Sequence, residues 1–337
     1  MAKYWISVRA MSGSEFTDAV ELGATKYLKV PDDETPAPRH RIPMSQWTSE
    51  IIASFPNASA PPAGGDPVPT GDVVFFVHGY NNTIENVNRA YQKLHQGLSD
   101  HNFQCQVICF DWPSGNEAWA YLRDLGHARA TAIRLVNGGV KLFVTALTKD
   151  CNIRVHVLGH SMGAFVVREA FDHADDGMAT TAANWTANQL VLFSGDVDAP
   201  SFAENDADTE SLYRHCYRLT NYFNGHDEIL QISNVKRFGV EPRVGRVGLP
   251  PDAPEKAVNV DCSDYFQQTY GSRPDIGKVE RALFSHSWYV SDEMFMRDLA
   301  ITLLGTVDRE KIPTRGPGPG RTQILNGARA QPLVAPT

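Results

Sequence analysis

The chain alternates between short apolar runs and longer stretches in which apolar residues recur every three or four positions. "VVFFVHGYNN" (Val73–Asn82) is the most continuous apolar run. Bounded by turn residues, it predicts a buried parallel strand. In "TIENVNRAYQKLHQGLSDH" that follows, Ile84, Val87, Ala90, Tyr91 and Leu94 repeat at helical spacing, which predicts an amphipathic helix. "QVICFDWP" (Gln106–Pro113) is the next strand, stopped by Pro113. "NEAWAYLRDLGHARATAIRLVNGGVKLFVTALTKD" reads mostly as helix, interrupted near Gly138–Gly139. "IRVHVLG" and "AFVVREAFDHA" form another strand–helix pair. Strands are expected again in "NQLVLFSGDVDAP", "YRLTNYFNGHDEIL" and "AVNVDCSDYF", and "WYVSDEMFMRDLAITLLGTV" closes the body as a helix. Two short strand-like pieces, "YWISVRA" and "TKYLKV", lie within the first 35 residues.

This alternation predicts an α/β fold with a mainly parallel central sheet and helices on both faces. Residues 1–72 are expected to be terminal strands followed by a Pro/Gly-rich loop that elaborate the fold. Residues 73–311 form the core, and 312–337 read as a flexible carboxyl-terminal tail because of their Gly and Pro content. In open parallel sheets, ligand chemistry gathers beyond the carboxyl ends of the strands. The positions of interest are therefore His78-Gly79-Tyr80, Asp111 to Ser114, Ser161, Asp196, Asp198, Asp227 and a histidine ahead of the last helix.

Composition narrows the classes. With 337 residues, 42% of them hydrophobic, the chain can bury a substantial core. A net charge of −8 disfavours a phosphate-binding surface, so no nucleic-acid partner is expected. No run approaches the ~20 apolar residues of a membrane span, and the amino terminus lacks the apolar stretch of a signal peptide. The five cysteines, Cys105, Cys109, Cys151, Cys216 and Cys262, are scattered and form no C-x-x-C. They read as reduced core thiols in a cytoplasmic protein. No H-E-x-x-H, Walker loop or G-x-G-x-x-G occurs, so no metal or cofactor is expected.

Chemistry concentrates in "RVHVLGHSMGAFVVREA" (Arg154–Ala170), where a strand runs into Gly-His-Ser-Met-Gly and then a helix. A nucleophilic serine on a strained strand-to-helix turn needs small residues two positions before and after it. The alternative is a serine that merely caps a helix. A hydroxyl is a poor nucleophile without a base. Of 11 histidines, His286 lies downstream of the last candidate strand, just before the final helix, where a loop would present it. His226 lies in a different loop, and His160, the variable residue of the turn, is expected to point away. Two places compete for the acid that orients the base: Asp227, after "YRLTNYFN", and Asp196 or Asp198, after "LVLFS". "GDVDAP" also fits ordinary turn chemistry. An oxyanion hole needs two backbone N–H groups. Met162, after the nucleophile, and Tyr80, in the loop after the early strand, are the expected donors. Trp112, Trp119, Tyr121 and Trp288 either line an acyl pocket or pack in the core.

"VFFVHGYNNT", "FDWPSGN", "YLRDLGHARATA", "VHVLGHSMGAFVVREA", "VDAPSF", "YFNGHDEIL" and "RVGRVGL" together resemble the α/β-hydrolase superfamily. More narrowly, they are similar to a bacterial family of α/β hydrolases of unknown function (DUF900-like), over about Val73 to Val307. The resemblance implies a serine-hydrolase fold in which Ser161, Asp227 and His286 match nucleophile, acid and base. Asp196 stays as the alternative acid. The leading expectation is a carboxylic-ester hydrolase acting on a small molecule. Amide, thioester or lactone hydrolysis and acyl transfer would use the same triad, and a non-catalytic binding protein on this fold is the third reading.

Overall fold

The computed structural model describes every residue except 1, 18–21, 57–67, 81, 115–124, 141–151, 174–184, 237–240, 273–276 and 327–337. The strands of its main sheet are β1 (Lys3–Arg9), β2 (Leu22–Val30), β3 (Arg41–Ile42), β4 (Thr70–Val77), β5 (Gln106–Asp111), β6 (Asn152–His160), β7 (Ala187–Phe193), β8 (Cys216–Phe223), β9 (Ala257–Asp261), β10 (Arg315–Pro317) and β11 (Gln323–Leu325). They form one 11-stranded sheet in the order β10-β11-β9-β8-β7-β6-β4-β5-β1-β2-β3. From β11 to β1 neighbours run parallel, and the strands at both margins are antiparallel.

The helices of eight residues or more are α1 (Met44–Ala53), α2 (Ile84–Asp100), α3 (Leu125–Leu135), α4 (Met162–Asp172), α5 (Ala207–Arg214), α6 (Glu228–Lys236), α7 (Ser263–Tyr270), α8 (Lys278–Ser287) and α9 (Glu293–Leu304). Successive strand residues point to opposite faces, so the continuously apolar β4 feeds two cores. Val73, Phe75 and Val77 join one cluster with β6 and α4 residues. Val74 and Phe76 join the other, against Val87, Tyr91, Leu94 and Leu98 of α2 and Phe295, Leu299 and Leu303 of α9. The α2 start is set by Thr83, whose hydroxyl accepts the Asn86 N–H, and α9 ends at Gly305 in the left-handed region (φ 67°).

Several expectations shift. β1 is buried along all seven residues and inserts beside β5, so the amino-terminal segment extends the main sheet. The part of the expected flexible tail that is described instead adds β10 and β11 to the sheet edge. Arg315 holds it there through a buried ion pair to Asp298 of α9 (2.6 Å). Of the helix expected over 116–150, the described part is α3 and a wider turn at Val136–Val140; the remainder lies outside the described residues. No helix among the described residues is long and apolar enough to cross a membrane.

The register aligns the strand ends. Val77 pairs with Gly159, His160 with Phe193, Phe193 with Tyr222, and Phe223 with Asp261. The residues just beyond β4, β6, β7 and β8 therefore share one edge of the sheet.

Candidate active site

Ser161 occupies that edge between β6 and α4, at φ 55° and ψ −126°. This conformation costs a non-glycine residue on the order of 1–3 kcal/mol unless its surroundings fix it. Three backbone bonds do so: Ser161 N–H donates to Phe193 O (3.3 Å), and its carbonyl accepts from Ala164 N–H and Asp196 N–H (3.0 Å each). The two motif glycines have steric causes. A Cβ on Gly159 would lie 2.8 Å from Ala164 Cα, and one on Gly163 would collide with Val77 O.

Gly79 comes equally close, since a Cβ there would sit 2.7 Å from Ser161 Cβ. Its carbonyl accepts from His78 Nδ1 (2.9 Å) and Asn82 Nδ2 (3.0 Å). Across a trans peptide the carbonyl and the next N–H point in opposite directions. The Tyr80 N–H is therefore turned away from His78 and Asn82. His78 is spent on framing this loop, as its other nitrogen, Nε2, accepts the Trp112 N–H (3.2 Å).

His286 lies in the last turn of α8 and not in a loop. Two helices, α7 and α8, separate it from β9, and the α8 start is closed by Glu280, whose carboxylate accepts the Gly277 N–H (3.3 Å). His286 Nδ1 stands 2.8 Å from Asp227 Oδ2. Asp227 has no solvent exposure. Its Oδ2 also accepts from Ser194 Oγ (2.8 Å), and its Oδ1 accepts the Leu230 N–H (2.9 Å). Burial opposes charge on His286, but the Asp227 carboxylate and its hydrogen bond, with Asp196 behind them, outweigh it and raise the pKa above 6.5.

Asp196 is oriented differently. Its carboxylate faces Arg243 (Nε–Oδ1 3.3 Å), which also pairs with Asp198. The structure therefore brings Asp227, and not Asp196, into hydrogen bond with His286. His160 is engaged: its Nε2–H donates to the His286 carbonyl (3.0 Å). Burial, then the neighbouring His286, pushes its pKa down to about 3, so it stays neutral.

Ser194, Asn224 and Ser285 carried no signal in the sequence. Ser194 adopts φ 46° and aims its hydroxyl at Asp227. Asn224 Nδ2 donates to Ser285 O (3.3 Å), and Ser285 Oγ accepts the Glu228 N–H (3.1 Å), tying the acid loop to α8. Trp112 and Trp288 are core residues: Trp112 Nε1 donates to His78 O (2.8 Å), and Trp288 stacks on Tyr289. Trp119 and Tyr121 lie outside the described residues.

A parallel sheet with a strained serine beyond its middle strand, an acid two strands further on and a late histidine define the α/β-hydrolase class. Within that class the chain belongs to the family described as "Alpha/beta hydrolase of unknown function (DUF900)", whose model matches residues 67–264. No curated protein matches the chain. Among solved structures it is similar to phospholipase PlaB from Legionella pneumophila, in complex with thio-NAD (15% identity, TM-score 0.31, 51% of this chain and 43% of that one). It is also similar to a Trichoderma reesei cutinase bound to a phosphonate inhibitor (19%, TM-score 0.30, 49% and 66%). A third is a dienelactone hydrolase-like promiscuous phosphotriesterase from metagenomic libraries (16%, TM-score 0.32, 67% and 87%). The chain spans less than half of the Legionella enzyme and about two thirds of the Trichoderma one.

Proposed function

We propose that the protein is a serine hydrolase that cleaves carboxylic esters through an acyl-enzyme on Ser161. The observation that carries the reading is the 2.8 Å bond from His286 Nδ1 to the buried Asp227, at the same sheet edge as a serine held at φ 55°. With Nδ1–H donating to Asp227, the His286 Nε2 lone pair is the base. Ser161 Oγ attacks the ester carbonyl as Nε2 takes its proton. The Met162 and Tyr80 N–H groups receive the oxyanion, and the imidazolium then protonates the leaving alkoxide. Water, deprotonated by Nε2 in turn, releases the acid and restores Ser161. Asp196, whose carboxylate faces Arg243, adds a further negative charge near the base.

Fluorophosphonate labelling with peptide mapping tests the reading. Label should appear on Ser161 and vanish in Ser161→Ala. Label that persists in that variant overturns it. Turnover of p-nitrophenyl esters should fall in parallel, by about a millionfold where nucleophile, base and acid act as a unit.

A further inference from the structure

A cavity of about 330 Å³ is lined by residues next to the candidate catalytic ones. The serine turn, the end of α8 and the loop after β4 each contribute a residue to it. His160 precedes Ser161, Ser287 follows His286, and Asn82 holds the Gly79 and Tyr80 carbonyls. Phe76 and Phe193 supply an apolar floor, and Arg89 and Lys93 of α2 stand at the exposed rim.

The charge balance of this lining is unusual for a chain of net charge −8. Among the described residues no Asp or Glu lines the cavity. One of its two histidines, His160, is held neutral by burial. Among the described residues neither cation pairs with a carboxylate: Arg89 donates to Asn86 Oδ1 and Lys93 to Ser291 Oγ (2.9 Å). Two cations beside a partly apolar recess, whose described lining carries no carboxylate, suit an oxyanion on a short hydrocarbon stem. The volume falls at the lower end for small-molecule sites, ~300 Å³ and upward.

Resting on the serine-hydrolase reading above, we propose that this cavity is a subsite for an anionic group, carboxylate or phosphate, carried by the ester that Ser161 cleaves. The enzyme then prefers acidic esters over neutral ones of equal length, and Arg89 and Lys93 set that specificity.

Matched ester pairs test it from both sides of the scissile bond. For the acyl side, p-nitrophenyl octanoate is compared with mono-p-nitrophenyl suberate. For the alcohol side, phenyl acetate is compared with 4-acetoxybenzoate and with phosphorylated phenyl acetate. In one set the anionic member should have the higher kcat/KM, by about tenfold, the worth of one or two partly screened ion contacts. The Arg89→Gln/Lys93→Gln variant should bring that ratio near one. Arg214→Gln/Lys311→Gln, which removes the same charge from exposed positions elsewhere, should leave it unchanged. An unchanged ratio in the first variant, or a preference for neutral esters in every set, overturns the proposal. Failure of the hydrolase reading looks different: no ester is turned over and no fluorophosphonate label is taken up. Titration calorimetry of Ser161→Ala protein with suberate and with inorganic phosphate then decides the anion site by itself. Binding lost on adding the Arg89 and Lys93 substitutions supports an anion site, and equal or absent binding overturns it.

Discussion

Asp227 and Asp298 are both carboxylates with no solvent exposure, and they hold opposite kinds of partner. Asp298 receives a two-pronged Arg315 (Nε–Oδ2 2.9 Å, Nη2–Oδ1 2.6 Å), with the Tyr222 hydroxyl at 2.5 Å and Thr314 closing the cluster. Burial opposes the charge on Arg315, but the Asp298 charge outweighs it and raises a pKa that was already high. That pair is fixed in one protonation state. Asp227 receives a histidine, two further donors, and nothing permanently charged. Its partner is a group that can gain and lose a proton. A buried carboxylate fastens a sheet edge in one place and, on the proposed function, sets a proton relay in the other; the chemistry of the partner makes the difference.

Asp227→Asn should give the largest effect. The amide would donate to Nδ1, shift the His286 proton to Nε2 and remove the base, lowering kcat/KM about ten-thousandfold while far-ultraviolet circular dichroism stays unchanged. A loss below about tenfold would remove Asp227 from the acid role. At the other carboxylate the damage should fall on stability. Arg315→Met strands a buried charge and should cost about 3–5 kcal/mol, seen as a melting temperature lower by roughly 10 °C. Adding Asp298→Leu should restore part of it, because an apolar pair can replace a structural ion pair. No such rescue should exist for activity at Asp227.

The two clusters were unequally legible in the sequence. Ser161 and His286 followed from local pattern and chain order, since a strand–Gly-x-Ser-x-Gly–helix passage leaves few positions for the base. The parallel sheet followed from apolar runs alternating with helical periodicity. The choice between Asp227 and Asp196 rested on resemblance, because both follow a strand. Only the distances to His286 and Arg243 separate them. Ser194, Asn224 and Ser285 were invisible, because a serine or asparagine after a strand looks the same whether it faces water or a buried carboxylate. Arg315 was misread for a related reason. The Gly/Pro-rich stretch around it has the composition of a loose tail, and the strand pairing and the Asp298 contact that hold it are long-range.

Ser194→Ala should produce a smaller change than either substitution above. Asp227 would keep His286 and the Leu230 N–H but lose a donor to its charged form. A hydrogen bond to a charged group is worth about 1.5–3 kcal/mol, so kcat/KM should drop roughly ten- to hundredfold. An unchanged rate would show that Ser194 only fills space beside the acid.

The smallest effect is a dependence on pH that only one cluster should show. The folded pKa of His286 lies above 6.5. Its pairing with Asp227 therefore adds stability in full below the unfolded value, and that contribution is lost as pH rises through the folded one. Acylation runs the other way, because Ser161 needs neutral His286, so kcat/KM should rise through the same pKa. Urea unfolding between roughly pH 6 and 9, with His286→Gln subtracted from the parent, should give a difference that shrinks as activity appears. Subtracting Arg315→Met should give a flat line, since Arg315 stays charged throughout. A midpoint for kcat/KM below 6.5, or a flat His286 difference, would mean that the Asp227 charge does not hold the imidazolium, and the contrast between the two carboxylates would fail at its catalytic end.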